Sequence, residues 1–491
     1  SFGVIGTSSN IGASGVGFAS NTGWGIAATT GANDGAWTNG AKTTLTGITT
    51  ASGTVYQIAV DATVGSGSNK IWFGQNGTWF NSGVPSSGTS PIFSNLPSDM
   101  QFIAAVLVDS GYDLDVNFGQ RAFSYTAPSG FKALCTQNLP TPTILNGANY
   151  MAATLYAGNG GTQSISNAVN NISFQPDLVW TKPRVASSSN ALFDSVRGVS
   201  KFLNSNSTAA EQNLSPYAVT AFNSNGFSLS DDAAGDYYVN GASGGTYSGT
   251  PPNYVGWQWK ANGAGVTNTA GSITSTVSAS AAAGFSVVTY TGTGANATVG
   301  HGLGVAPSMV IVKNRGAVTN WCVWHISIPG PTTGFINLDQ TAGYSSNSIV
   351  FGAAPTSTVF SVGSYVGTNQ NTLVAYCFAP IAGYSAFGSY TGNGSTDGPF
   401  VYLGFRPRFV MWKRSDSTGS WYIQDTSRNP YNQATLSLYP NLSDAETSGD
   451  DMDYLSNGFK VRDTFSYINA SGGTFIYAAF AENPFTLSRA R

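Results

Sequence analysis

The sequence predicts an all-β protein built from tandem antiparallel β-sandwich domains, and three observations predict it. Apolar runs are short, roughly four to eight residues, and end at Gly, Asn, Asp or Pro. No segment carries helical periodicity beyond a turn or two, the best candidates being Ser207 to Asn213 and Ser443 to Ser448. Charged residues make up 9% of the 491 residues, against about 25% in an average globular chain. Sixty glycines and many Ser, Thr and Asn supply the polarity instead, while aromatic residues reach 13%. Such a chain has the β-formers to fold and is not disordered.

In chain order, Ser1 to Gly6 already reads as a strand; because no Met opens the chain, an N-terminal part is expected to precede it. Tyr56 to Val60, Phe102 to Val108 and Met309 to Val312 follow as clear strands. A net charge of −3 excludes nucleic-acid binding by counterion release. No apolar run approaches the roughly 18–20 residues of a membrane-crossing helix, so no membrane insertion is expected. Cys135, Cys322 and Cys377 are too scattered for a disulfide framework.

The strongest signal is an internal repeat. Leu155-Tyr156-Ala157-Gly158-Asn159-Gly160 recurs as Thr289 to Gly294 and Ser389 to Gly394. Each copy continues into a Pro-led strand that ends on Lys, at Lys182, Lys313 and Lys413. Asn225-Gly226-Phe227 then matches Asn457-Gly458-Phe459, with Val359-Phe360 as the weaker middle version. The copies close on Tyr254 to Trp259, Leu373 to Phe378 and Phe475 to Phe480. Four landmarks in one order predict three related sandwich modules of about 100 residues each. The predicted organisation is a first domain over 1–138, modules over 139–262, 284–380 and 384–491, and a Gly/Ala/Ser/Thr linker over 263–283. At one shared offset after the three lysines stand Asp194, His325 and Asp425. A position that exchanges Asp for His reads as a strand-end polar contact rather than a catalytic acid.

In the first domain, Thr54 to Asp61, then Trp72-Phe73-Gly74-Gln75-Asn76-Gly77-Thr78-Trp79, then Val116-Asn117-Phe118-Gly119-Gln120 resemble the later part of a SPRY domain. That resemblance implies a sandwich whose earliest strands lie before Ser1 and a late strand over 116–123. Asn76-Gly77 independently predicts a type I′ hairpin turn. Phe123 to Pro140 resembles the segment that ends such domains in bacteriophage tail proteins, and Gly388 to Phe400 and Ile468 to Phe485 are similar to modules of marine-phage structural proteins. The resemblance implies a virion-exterior protein, a tail fibre or adhesin recognising a host cell-surface glycan or protein. The alternative it leaves is a capsid or tail decoration protein that binds other virion proteins. The resemblance also implies a homo-oligomer, since fibres of this kind are commonly homotrimers.

Catalysis has little raw material. His301 and His325 are the two histidines, too few for a triad or a histidine-rich metal site, and Cys322 and His325 fall on opposite faces of a strand. Glu211, Glu446 and Glu482 are the three glutamates; the acidic run Asp444 to Asp453 lacks calcium-loop spacing and reads as a solvated loop. The expectation is a non-enzymatic protein without cofactor or metal, a polysaccharide depolymerase being the least favoured reading. Recognition remains, because aromatic faces stack on sugar C–H groups while amides and hydroxyls bond their hydroxyls. The candidate ligand contacts are Trp24, Trp37 and Trp79 in the first domain and Trp421, Tyr422, Tyr431 and Tyr439 in the last module. The competing reading for each is core packing, the usual place of Trp in a sandwich.

Overall fold

The computed structural model describes residues 2–6, 23–27, 34–38, 40–65, 67–97, 100–103, 115–135, 138, 141–185, 187–230, 238–241, 252–330 and 332–484. The chain is all-β, with antiparallel sheets throughout the described residues, and divides into two compact units, Ser1–Pro140 and Thr141–Arg491.

In the first unit, five strands (Phe2–Gly6, Gly23–Ala27, Gly35–Thr38, Ala41–Thr43, Met100–Ile103) form one sheet and four (Tyr56–Asp61, Asn69–Gln75, Thr78–Trp79, Phe93–Leu96) form another. Trp24, Ile26, Ile71, Phe73 and Leu96 share one buried cluster. Asn76 and Gly77 take φ of 48° and 84° at the hairpin that pairs Gln75 with Thr78, as the turn chemistry requires. The strand expected over 116–123 does not form. Asn117 Oδ1 accepts from Gly119 N at 3.0 Å and Gln120 Nε2 donates to the Val116 carbonyl at 2.6 Å, so short polar side chains fold the backbone onto itself. Of the run Phe102 to Val108, residues after Ile103 lie outside the described residues.

The second unit carries the repeat, and each copy builds one inner sheet in the same order. Copy one is Met151–Ala157, Asn253–Trp259, Leu178–Pro183, Ala191–Asp194; copy two is Phe285–Thr291, Thr372–Phe378, Met309–Asn314, Cys322–His325; copy three is Ser385–Thr391, Thr474–Pro484, Phe405–Arg414, Trp421–Asp425. An outer sheet accompanies each, of three strands in copy one, two in copy two and four in copy three. The segment 263–283, expected as a linker, is instead ordered sheet: Val266–Asn268 pairs with Ser275–Ser280, which pairs with Phe285–Thr291. Its small side chains carry no hydrophobic period, yet their backbone completes a ladder and Ile273 and Val277 reach the core of copy two. The two helix candidates are not helical either. Gln212–Asn213 pairs with Lys201–Phe202, and Thr447 opens the long strand Thr447–Leu455, which takes in much of the acidic run. The four-residue helices are Val366–Asn369 and Ser466–Asn469.

The repeated landmarks have local causes. Tyr156, Tyr290 and Tyr390 donate their hydroxyls to the carbonyls of Val239, Thr368 and Ile468. The next residues, Asn240, Asn369 and Asn469, accept at Oδ1 from the turn nitrogens of Asn159, Thr293 and Asn393 at 2.9, 2.9 and 2.8 Å. Gly226 and Gly458 face Ser166 and Tyr402 where a Cβ would collide with the carbonyls of Ile165 and Val401. In copy two the equivalent pair is Val359 with Gly300, so the glycine has moved to the opposite strand.

The inner strands are apolar on both faces because both are buried. In Met309–Asn314, Val310 and Val312 pack into the core of copy two, while Met309 and Ile311 join a second core shared by all three copies. Leu178, Trp180 and Trp259 of copy one and Phe409, Met411 and Phe480 of copy three enter the same shared core.

The seams around this core repeat in cyclic order. Lys313 Nζ and Trp321 Nε1 of copy two donate to the copy-one carbonyls of Thr208 (2.8 Å) and Asn204 (2.9 Å). Lys413 and Trp421 of copy three reach Thr341 (3.1 Å) and Asn337 (2.9 Å) of copy two. Lys182 and Asn190 of copy one reach Ser443 (2.8 Å) and Tyr439 (3.0 Å) of copy three. Three equivalent seams, each filled, close the copies into a ring with threefold-like contacts within one chain.

Candidate ligand platform

At the centre of the ring lies a cavity of about 20 Å³, lined by Leu178, Trp259, Met309, Phe378, Phe409 and Phe480 among others. It is apolar and no larger than a packing void, so it holds no substrate. The sites of interest lie elsewhere.

The candidate contact residues separate by burial. Trp24 is buried and donates Nε1 to Asn95 Oδ1 at 2.8 Å. Trp37 is half-buried between Gly25 and Lys42 on neighbouring strands, and Trp79 is half-buried over Gly74. Trp421 is buried at the seam with copy two. Tyr431 is 73% exposed in the loop after Asp425. Core packing therefore accounts for Trp24 and Trp421, and an open ring is presented by Tyr431.

Tyr422 and Tyr439 do meet, within a larger assembly. Tyr422 lies directly across from Trp412 in the inner sheet of copy three, with ring centroids 5.1 Å apart and planes at 10°. Tyr467, on the helix Ser466–Asn469, stacks on Tyr422 at 5.1 Å and 15°, and Phe465 stacks on Tyr467 at 5.2 Å and 19°. Tyr439 meets Tyr422 edge-on at 5.1 Å and shares a 2.6 Å hydrogen bond with Thr447 Oγ1. Four parallel rings thus run from buried Trp412 to Phe465, which is 49% exposed.

The stack belongs to copy three alone. The Trp412/Tyr422 pair is Thr181/Ala191 in copy one and Val312/Cys322 in copy two, while Tyr467 aligns with Gly367 of copy two and with Tyr238 of copy one, which has no ring at those two strand positions to stack on. The module fold therefore works without it. Pairwise reading of the repeat could have found Trp412, since a large ring replaces small residues there; Tyr467 aligns with Tyr238 of copy one and Phe465 with Tyr365 of copy two, so neither gave such a signal.

The exposed end is held firmly. Asp463 Oδ1 accepts from the backbone N–H of Thr464 (2.6 Å) and Phe465 (3.1 Å). Arg414 Nη1 donates to the Ser466 carbonyl at 3.2 Å, and its Nε pairs with Asp416 at 3.0 Å. Burial opposes ionisation of Asp416, yet the hydrogen bond and charge of Arg414 hold it below the usual carboxylate range. A flat hydrocarbon face beside a fixed cation, a carboxylate and hydroxyls can stack on a ring and bond its substituents. Among the described residues no group of His, Cys, Asp and Glu is placed to hold a metal ion.

The sequence model of a family described as a domain of unknown function (DUF7483) matches residues 146–484, a span that takes in all three copies. No curated protein and no solved structure matches the chain.

Proposed function

We propose that this chain, which belongs to the DUF7483 family, is a non-enzymatic recognition protein of a virion exterior, a tail fibre or adhesin that binds a host cell-surface glycan. The observation that carries the reading is the copy-specific stack from Trp412 to Phe465, which adds aromatic surface that the module fold does not need. The virion setting rests on the resemblance of 123–140, 388–400 and 468–485 to phage structural proteins. Any homo-oligomer uses surfaces outside the three seams, since each seam is filled within one chain.

Binding of the recombinant chain to susceptible cells, with competition by their purified surface polysaccharide, tests the reading. Phe465→Ala is expected to weaken binding by roughly 1–2 kcal/mol, the worth of a lost aromatic contact, with the fold intact. Binding that neither polysaccharide nor this substitution affects would favour the decoration role instead. Release of reducing sugar from the polymer would identify a depolymerase.

A further inference from the structure

A second feature, independent of the stack, lies at the start of the same inner sheet. Arg408 sits where the ladder between Phe405–Arg414 and Thr474–Pro484 slips, between Pro407 (opposite Ala481) and Phe409 (opposite Phe480). It is 6% exposed, and its Nε has no hydrogen-bond partner; nor does the Nε of Arg406, 2% exposed. Arg408 makes no ion pair within 4 Å among the described residues. The acids that act on it electrostatically, Glu482 and Asp425, are otherwise engaged. Glu482 pairs with Arg406. Asp425 takes Arg428 Nε at 2.7 Å and the Trp257 indole at 3.0 Å. Arg428 in turn shares Glu446 with Arg184. Four guanidinium groups thus face three carboxylates, and Arg408 is the surplus cation. Buried Tyr384 also acts on Arg408 electrostatically.

A buried, unpaired guanidinium costs several kcal/mol, and the module fold does not require it. The equivalent positions are Asp177, satisfied by Ser195 Oγ at 2.7 Å and Ala261 N at 2.6 Å, and Ser308. A cost borne at one copy only, with the orphaned Arg406 Nε beside it, calls for a missing counterpart. We propose that Arg408, with Arg406 and Tyr384, forms a binding site for a small oxyanion group, a carboxylate, phosphate or sulfate. The guanidinium fork matches such planar or tetrahedral oxygens in two-point contact.

The test is thermal unfolding of the whole chain in chloride buffer of fixed ionic strength, with acetate, galacturonate, phosphate or sulfate titrated in. A saturable rise in Tm, roughly 4 °C at a hundredfold excess over the Kd, is expected for at least one anion. The carboxylate arms and the inorganic arms distinguish a sugar acid or peptide carboxylate from a free inorganic ion. Arg408→Met should raise Tm without added anion, by removing the unpaired charge, and should abolish the response. Arg408→Lys, which keeps the charge and loses the fork, should respond weakly. Calorimetric titration of the unmutated chain reads binding directly should Arg408→Met not fold. Absence of any anion response in the unmutated chain, or an undiminished response in Arg408→Met, would overturn the proposal.

Discussion

The hydroxyl of Tyr376 in copy two donates to Asp194 Oδ2 in copy one at 2.9 Å, with both residues buried. The same relationship closes the ring elsewhere, where the Trp257 indole of copy one donates to Asp425 Oδ2 of copy three at 3.0 Å. At the remaining seam the donor position is Ala478, which has no ring, and the acceptor has become His325, whose Nε2 reaches the neighbouring Tyr477 carbonyl at 3.1 Å. The Asp-to-His exchange is thus a matched change across a seam. Each aspartate also carries a buried arginine three residues on, Arg197 or Arg428, and copy two has Ile328 there.

Tyr376→Phe removes the hydroxyl that donates to Asp194 and accepts from Arg197 Nη2 at 3.2 Å, while the ring stays in the shared core. Asp194 retains Arg197, so no charge is stranded. The expected loss is about 1–2 kcal/mol in equilibrium denaturation, as for a buried hydrogen bond to a charged group. Replacing Asp194 by Asn should cost more, roughly 3 kcal/mol, since buried Arg197 then keeps only one of its two carboxylate partners, Glu211.

His325 makes the ring acid-sensitive. Its Nδ1 accepts from Ser327 N at 3.2 Å while Nε2–H donates to Tyr477, an arrangement that only the neutral ring satisfies. Burial pushes its pKa down to about 4. The folded value lies below the unfolded value of about 6.5, so this stabilisation is whole above that pH and is lost as pH falls toward 4. The loss amounts to about 3 kcal/mol at and below the lower value. Denaturation at pH 7 and pH 4 should therefore separate the unmutated chain from His325→Gln, the variant losing less over that interval.

The module plan was legible in residues whose role is local. Tyr390 and Gly394 recur in all three copies, and Gly458 in two, because turn geometry and close backbone approach allow few alternatives. The ring was not legible. Lys413 recurs as plainly as any landmark, and Trp421 has Trp321 in copy two but Asn190 in copy one; what they reach is the Thr341 and Asn337 carbonyls of another copy, and backbone acceptors leave no trace in side-chain identity. The linker reading of 263–283 failed for a related reason, since its strands are held by ladder bonds and small side chains. At the platform, Tyr422 and Tyr439 were visible as candidate contacts, but Tyr422 is buried inside the stack, and the rings that order the pair come from distant segments, Trp412 and Phe465 to Tyr467.

Glu211 ties copy one to copy two. It takes Arg315 Nε and Nη2 at 2.8 Å each and buried Arg197 Nη1 at 3.0 Å. Burial raises its pKa, but the hydrogen bonds and charges of the two arginines prevail and hold it below the usual carboxylate range. Its stabilisation is present above the unfolded carboxylate pKa and fades as pH falls through the lower folded value. Glu211→Gln should destabilise by roughly 3 kcal/mol near neutrality. A double-mutant cycle with Arg315→Met should return a coupling of about 1–3 kcal/mol, because the two side chains share one bidentate contact.

Asn469 joins module stability to the platform. Its Oδ1 accepts from Asn393 N at 2.8 Å, and its Nδ2 donates to the carbonyls of Asp463 (2.7 Å) and Ser395 (2.8 Å). It is buried at the last residue of the helix that carries Tyr467, and the Asp463 end of the same segment fixes Phe465. Truncation to Ala leaves three backbone groups without this partner, of which the Asp463 carbonyl belongs to a buried residue, at a cost of about 1–3 kcal/mol for each that water does not reach. Asn469→Ala should therefore unfold at markedly lower denaturant and, where still folded, lose near-ultraviolet circular dichroism from the loosened rings. Phe465→Ala removes a half-exposed ring and should leave the denaturation midpoint nearly unchanged while removing the outer face of the stack. Comparing the two variants in a cell-binding assay separates a contact residue from one that positions it: restoring rigidity at low temperature should recover binding by Asn469→Ala and leave Phe465→Ala defective.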